Sequence, residues 1–392
     1  MKHTSFRSRR ALVAALLFSA LPAARAHAAD ANVKLPELWR ITDSTFGVIR
    51  DIASDSQGNV YLLDSQRCVV RVYSSTGKFL RLIGHEGEGP GEFRHPVSMF
   101  VGEQGDVGVV QMIPGKVVYL SSDGKPTGDI TPAQPTDATS QLVDGDARGG
   151  NVVLLFDSRK FDETHKKWSR DCFLASVTTD GKVVARYATK ETAIDLTAPL
   201  LDDAEWDTFE QRWQIGPDGR VYAANSYDKY EISVYDEAGK LQKVIAREGK
   251  PVTRSAHEKD VASRTLAFYS KMIPNCKTRV HDTARGIENF YVRDDGSVWV
   301  LSAAGARNLP AGTIGVFDIF NPELNFVKTV ALEGEGNPLE DRYVFDRDRL
   351  YVITGFLNAT MREQGIEGTD DSQPTGVICY KLEGDALAAK SR

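Results

Sequence analysis

The chain has 392 residues, with 41% hydrophobic and 26% charged positions, 33 glycines, 16 prolines and four cysteines. That balance fits neither a disordered chain nor a membrane bundle, and the frequent glycines argue against a helix-rich protein. The formal charge of −6 disfavours nucleic acid, whose binders present a basic surface to phosphate. The length suits two or three ordinary domains or one large repeat architecture.

Lys2, Arg7, Arg9 and Arg10 precede an apolar run from Ala11 to Leu21, and Ala26-His27-Ala28 follows. A basic head, a short apolar run and a small-x-small site describe an export signal over residues 1–28. Cleavage after Ala24-Arg25-Ala26 is the alternative. Ser8-Arg9-Arg10-Ala11-Leu12 resembles a twin-arginine signal, which leaves that route and ordinary secretion both open. The eleven-residue run is too short to span a bilayer, and no later segment approaches a span. The expectation is a mature chain, 29–392, that is periplasmic or secreted, free of transmembrane segments and monomeric. Residues 1–28 hold five Lys or Arg and no acid, so the mature chain carries −11.

A glycine-centred turn followed by an apolar strand recurs along this chain. It reads Gln57-Gly58-Asn59-Val60-Tyr61, Gln104-Gly105-Asp106-Val107, Gly149-Gly150-Asn151-Val152, Asp218-Gly219-Arg220-Val221 and Asp295-Gly296-Ser297-Val298. A sixth, Arg347-Asp348-Arg349-Leu350, places aspartate where glycine stood. A second turn follows in the first four units, at Gly77-Lys78, Gly124-Lys125, Gly181-Lys182 and Gly239-Lys240. Between the anchors lie short runs rich in valine, isoleucine and tyrosine: in the first unit Val48–Ala53, Val60–Leu63, Val69–Tyr73 and Phe79–Ile83. Four antiparallel strands repeated six times describe an all-β, six-bladed β-propeller forming a single domain. The first unit, Asp51 to Phe93, resembles an NHL repeat through Asp55-Ser56-Gln57-Gly58-Asn59-Val60-Tyr61 and Gly84-His85-Glu86-Gly87-Glu88-Gly89-Pro90-Gly91-Glu92-Phe93. The resemblance implies a propeller of the NHL type, a fold that hosts both binding proteins and enzymes.

The sixth unit shows only three strands, around Tyr343–Phe345, Leu350–Thr354 and Gly376–Leu382. Since an open ring would expose sheet edges, Lys34–Thr42 is expected to supply its missing outer strand. With strands a to d numbered outward from the channel, the a–b and c–d turns share one face. All the length variation falls on the other face. The b–c connections of units three, five and six run about Asp157–Asp171, Ser302–Thr313 and Gly355–Thr375; the d–a connections after units three and four run about Ala188–Phe209 and Arg247–Gly286. Within the insertion at about 250–286, Ser255-Ala256-His257-Glu258 forms a capping box, and Val261, Thr265, Phe268, Tyr269 and Met272 follow at helical spacing. The helix either lids the channel mouth or packs on a blade edge.

Counting back seven and eight residues from each a–b turn selects Arg50/Asp51, Val97/Ser98, Leu142/Val143, Gln211/Arg212, Glu288/Asn289 and Glu340/Asp341. Units four, five, six and one are polar at both positions and contiguous in a closed ring. Arg50, Asp51, Gln211, Arg212, Glu288, Asn289, Glu340 and Asp341 are therefore the candidate ligand-binding residues, set against a water-filled channel whose charges pair with one another. No cofactor is expected. Ca²⁺ is the one ion for which Glu288, Asn289, Glu340, Asp341 and Asp51 offer oxygens of the kind that propeller lactonases use.

His85, His95, His165, His257 and His281 all fall in decorated-face connections, without zinc-ligand spacing. Trp168 and Trp206 either stack on a sugar or peptide or cover the blade tops. Cys68, Cys172, Cys276 and Cys379 are free thiols or disulfide partners, with three pairings open. Two functions are carried forward. One is a binding or scaffolding protein for a small molecule, peptide or protein docking on the decorated face. The other is a metal-assisted lactonase, esterase or lyase at the channel mouth. An RNA-binding role conflicts with the export signal and the acidic balance.

Overall fold

A computed structural model describes residues 29–102, 104–133, 138–368, 375–383 and 387; residues 1–28, where an export signal is expected, and nearly all of the Gly384–Arg392 tail lie outside these. Six sheets of antiparallel strands follow one another around a ring. In blade one they are Ile49–Ser54, Val60–Asp64, Val69–Tyr73 and Phe79–Ile83, within a residue of the expected bounds. The innermost strands of blades two to six are Pro96–Val101, Thr139–Arg148, Trp213–Ile215, Ile287–Val292 and Arg342–Asp346. The core is divided accordingly, with one buried apolar cluster between each pair of neighbouring blades. Tyr61, Leu63 and Val72 of blade one pack on Met99, Val109 and Leu120 of blade two, and the sixth cluster joins Ile52 and Leu62 to Tyr351 and Val377.

All nine glycines that anchored the repeat adopt φ between 77° and 84°, the left-handed region that side chains disfavour. Those in the c–d turns have a second task. A Cβ on Gly181 or Gly239 would lie 2.1 Å from Thr131 O or 2.3 Å from Arg186 O, on the outer edge of the preceding blade. Blades one to four thus lean their c–d turns on the preceding blade, where glycine permits the approach.

The ring closes through the N-terminus. Strand β1, Ala31–Lys34, runs parallel to Phe326–Glu333 as a fifth strand on blade five. Strand β2, Glu37–Thr42, is the antiparallel outer strand of blade six, with Trp39 opposite Cys379 and Ile41 opposite Val377. The closing strand is therefore the one expected; the extra pairing of β1 was not. The b–c connection of blade three also differs from the loop expected. Its strands simply continue, Asn151–Asp162 and Lys167–Val177 pairing without a break up to a tip at 163–166, so the decoration is a projecting β-arm.

Among the described residues, three helices lie in the insertions: α1, Asp203–Trp206; α2, Ala256–Ser270; and α3, Phe356–Glu363. The Ser255/Glu258 capping box is formed. Helix α2 anchors through Leu266, which joins Ile194, Leu201 and Ile273 in a cluster with Trp168, Trp206 and Tyr269. Met272, expected in the apolar stripe, is 55% exposed because the helix has ended at Ser270. No described helix is long and apolar enough to cross a membrane. All four cysteines are free thiols, three of them buried.

Candidate functional site

Two cavities occupy the ring axis. The larger, about 1540 Å³, opens between the short a–b and c–d turns. The smaller, about 540 Å³, lies on the decorated face, over blades four, five and six. Gln211, Asn289, Tyr291, Arg342 and Tyr343 border both, forming the partition between them.

Of the eight expected residues, Gln211, Glu288, Asn289, Glu340 and Asp341 line the decorated-face pocket. The other three stand elsewhere. Arg50 is held between Glu210 and Glu363, each at 3.4 Å. Asp51 lines the larger channel, where it accepts from the backbone N–H groups of Ile52 and Met99 and pairs with Arg342 at 3.0 Å. Arg212 is wholly buried against Asp207 and donates to Ser226 O at 3.1 Å. Arg50 and Asp51 tie blades together, and Arg212 ties the segment before blade four to that blade.

Strand register corrects the residue choice in two blades. Asp51 lies opposite Leu63, three pairs from the strand end at Val60. The residues three pairs from the equivalent positions Val152 and Leu350 are Asp144, opposite Leu155, and Arg342, opposite Ile353. Leu142/Val143 and Glu340/Asp341 were out of step because Arg148 pairs directly with Asn151, and Asp346 with Arg349, across two-residue turns. The longer turns of the other blades carry one residue more before the strand. Blade three is thus not apolar at the channel. Asp144 accepts from Trp213 Nε1 at 2.9 Å and from Gly145 N, stitching blade three to blade four.

Asp146 sits two residues further along the channel wall, where burial pushes its carboxyl up to about 6, partly offset by the N–H of Ala147. A raised folded-state value means that the native state holds this proton more tightly than the unfolded chain does. The contribution is present below about pH 4 and lost as pH rises through about 6. Asp146→Asn, which stays neutral and can still accept from Ala147, is expected to flatten the stability profile between pH 4 and 6. Thermal midpoints measured across that range check this; parallel curves for the two proteins would contradict it.

The pocket wall is built from insertions. The segment before blade four brings Asp207 and Glu210, and Tyr227 comes from the b–c turn of that blade. The insertion carrying α2 brings Arg254, His257, Glu258 and Val261, and then Arg285 beside Glu288. Arg307 belongs to blade five, Leu339 and Glu340 to the connection into blade six, and Phe356 and Leu357 to α3. Helix α2 roofs this space. Its first turn is tied to blade five, Glu258 accepting from Arg307 at 2.6 Å, and Arg264 donates to Glu367 O and Gly368 O in the blade-six insertion. Its far half packs on the Trp168 and Trp206 cluster, so it both lids the mouth and packs on a blade edge.

The charges within the pocket are paired to different degrees. Arg307 also meets Glu288 at 2.7 Å, and Arg254 is held by Asp203 and donates to Glu258 O at 3.1 Å. Arg285 stands 3.3 Å from Glu288 and 3.5 Å from Asp207. Burial alone would raise the carboxyl of Asp207, but Arg212, Arg285 and Lys190 together hold it down at about 2. Burial pushes that of Asp341 up, against N–H groups of Asn337 and Gly355 donated to its two oxygens.

Of the residues proposed for Ca²⁺, all but Glu340 have their oxygens engaged, Asp51 by two backbone N–H groups and Arg342. Glu288 faces two arginines, Asn289 Oδ1 accepts from Phe290 N at 2.8 Å, and both oxygens of Asp341 hold backbone N–H groups. A hard cation needs several oxygens converging on one point, free of cations. This donor set does not fit one. Asp202, Asp203 and His281 do converge, but His281 Nε2 bonds both Asp202 oxygens at 2.9 Å, and Arg279 and Arg254 complete the pairing.

Among the histidines only His257 reaches the pocket, 3.7 Å from Glu340; His85 and His165 pair with Glu92 and Asp162 outside it. Trp168 and Trp206 are covers: Arg159 lies over both rings and Arg170 4.3 Å over Trp206. Sequence reasoning missed Arg254, Arg285 and Arg307. All three stand in the insertions it had marked as decoration, and Arg285 precedes Glu288 by three residues.

The protein is therefore a six-bladed β-propeller with a charged, roofed pocket on its decorated face. A family model described as six-bladed β-propeller, DUF5128, matches residues 42–200. Among solved structures, a DUF4221 family member from Bacteroides vulgatus is similar with a TM-score of 0.54 at 8% identity, covering 89% of this chain and 97% of that one. A candidate exported protein from Bacteroides fragilis has a TM-score of 0.47 at 14% identity, covering 89% and 94%. Regucalcin, a calcium-binding protein from Agrobacterium tumefaciens, has 0.43 at 12% identity, covering 90% and 97%. At such identities the likeness is one of fold alone. No curated protein matches the chain.

Proposed function

We propose that this chain is an exported binding protein whose ligand, a small polar molecule or a peptide end, enters the decorated-face pocket. The observation that carries this reading is the pocket itself: about 540 Å³, roofed by α2, and lined by convergent charged groups beside apolar ones. That is the size of a small-ligand site, with a lining more charged than most. Export rests on the signal-like residues 1–28, which place the mature chain in the periplasm or outside the cell. The metal-assisted lactonase, esterase or lyase is the weaker reading, because the oxygens of its ligand set, those of Glu340 excepted, are engaged by arginines and backbone N–H groups.

Thermal-shift screening of the purified mature protein against sugars, organic acids, amines, amino acids and short peptides tests this. A ligand at a hundred times its Kd stabilises the fold by about 2.7 kcal/mol. Val261→Trp, which fills the pocket from α2 without touching the ion pairs, is expected to abolish the shift. A shift that survives Val261→Trp would move the ligand elsewhere. Elemental analysis provides the other arm: one Ca²⁺ or Zn²⁺ per chain, lost in Glu288→Gln, would replace this reading with the enzymatic one.

A further inference from the structure

Among the arginines of the decorated-face pocket, Arg285 is used differently from its neighbours. Arg254 and Arg307 each donate hydrogen bonds to carboxylates and to backbone carbonyls. Arg285 donates none among the described residues; its two carboxylate neighbours stand off at 3.3 and 3.5 Å. Its side chain is 39% exposed, and that exposure is to the pocket it lines. A guanidinium presents a planar fork matched to a carboxylate, and here its hydrogen-bond donors are unspent while its charge is shared with Glu288 and Asp207.

Glu340 is its counterpart. Its carboxylate accepts no hydrogen bond among the described residues, and the basic nitrogen beside it is His257 Nε2 at 3.7 Å. The same pocket is also lined by apolar groups, Val261 from the roof, Leu339, and Phe356 and Leu357 from α3.

The charge balance restricts what the fork receives. The pocket sets the arginines 254, 285, 307 and 342 against six carboxylates, those of Asp207, Glu210, Glu258, Glu288, Glu340 and Asp341. A dianionic phosphate would meet net repulsion there, and so would a simple acid without a cation of its own. A ligand carrying one carboxylate and one ammonium leaves the balance unchanged while filling both open positions.

Resting on the decorated-face pocket as the binding site, we propose that its ligand is a zwitterion with an apolar body, an amino acid or a short peptide. Its carboxylate is taken by Arg285 and its ammonium by Glu340. Two charge-assisted contacts of this kind give orientation as well as affinity, since reversing the ligand places like charges together.

The test uses the mature protein and calorimetric titration of the twenty amino acids and a set of dipeptides, each beside its N-acetyl and C-terminal amide analogues. At least one free zwitterion is expected to bind, with either blocked analogue weaker by tenfold or more. Arg285→Gln should remove the penalty for the amide, and Glu340→Gln the penalty for N-acetylation. Arg285→Lys, keeping charge but not the fork, should weaken binding while retaining the preference for a free carboxylate. Melting curves establish that each variant is folded. Blocked analogues that bind as well as the parent would overturn the proposal. So would a singly charged ligand that binds in place of any zwitterion and is lost in Val261→Trp, which would leave the pocket standing as a site. If no ligand is sensitive to Val261→Trp, the pocket itself falls, and the proposal with it.

Discussion

Deleting Ala31–Thr42 is expected to abolish cooperative folding of the whole ring. The segment does two jobs at the seam. β2 supplies the outer strand of blade six, and β1 extends blade five, with Leu35 buried between them and Pro36 O accepting from Lys381 N. Trp39 packs on Tyr351 at 5.9 Å between ring centres and donates from Nε1 to Ser75 O in the c–d turn of blade one. The segment thus touches blades five, six and one. Burying a large apolar side chain contributes roughly 1.5–3 kcal/mol, so Leu35, Trp39 and Ile41 together account for about 5 kcal/mol before any ladder hydrogen bond. Net stability of a folded protein is itself only about 5–15 kcal/mol. The loss also bares the edge of Gly376–Lys381, an invitation to strand pairing between chains. Thermal unfolding and size-exclusion chromatography of the truncated mature protein decide the matter. A sharp transition at the normal temperature would mean that the ring is closed by other contacts.

The need for that strand was legible because a propeller has to close and the sixth unit was one strand short. The blades themselves were legible for a different reason. Their turns require glycine at positive φ, and the c–d glycines are required a second time where they meet the preceding blade, so the anchors stay in phase. The site was legible only in part. Counting from a turn assumes a constant turn, and the two-residue hairpins at Gly149-Gly150 and Arg347-Asp348 break that assumption by one residue. In a strand, one residue exchanges the two faces, which is how Asp144 and Arg342 went unseen beside Val143 and Asp341. The substitution of aspartate for glycine at position 348 was the visible sign that the sixth turn differs. Arg254, Arg285 and Arg307 were hidden for another reason. They stand on insertions, and nothing periodic in the sequence records that these loops meet over one pocket.

Those loops meet on a buried ion pair, and Arg212→Met should weaken the fold by about 3–5 kcal/mol, the usual cost of leaving one charge of such a pair uncompensated. Arg212 is 0% exposed and fully enclosed, its Nη2 on Asp207, whose carboxylate also faces Lys190 and Arg285 at 3.5 Å. Asp207 follows α1 directly and lines the pocket, so the pair fixes the segment between the blade-three arm and blade four. The substitution has a second signature in acid. With its carboxyl held down at about 2, Asp207 contributes stability that is present above pH 4 and lost as pH falls through about 2. Without Arg212, burial acts with less opposition, the carboxyl rises, and the loss moves to higher pH. The double variant Arg212→Met/Asp207→Asn removes both charges and should recover part of the deficit at pH 7, because no buried carboxylate is then left with its main partner missing. Denaturant unfolding of the wild type, Arg212→Met, Asp207→Asn and the double variant at pH 7 and pH 4 separates the cases. Additive losses in the double variant would show that the two residues act independently, and that the pocket floor is held by packing rather than by charge.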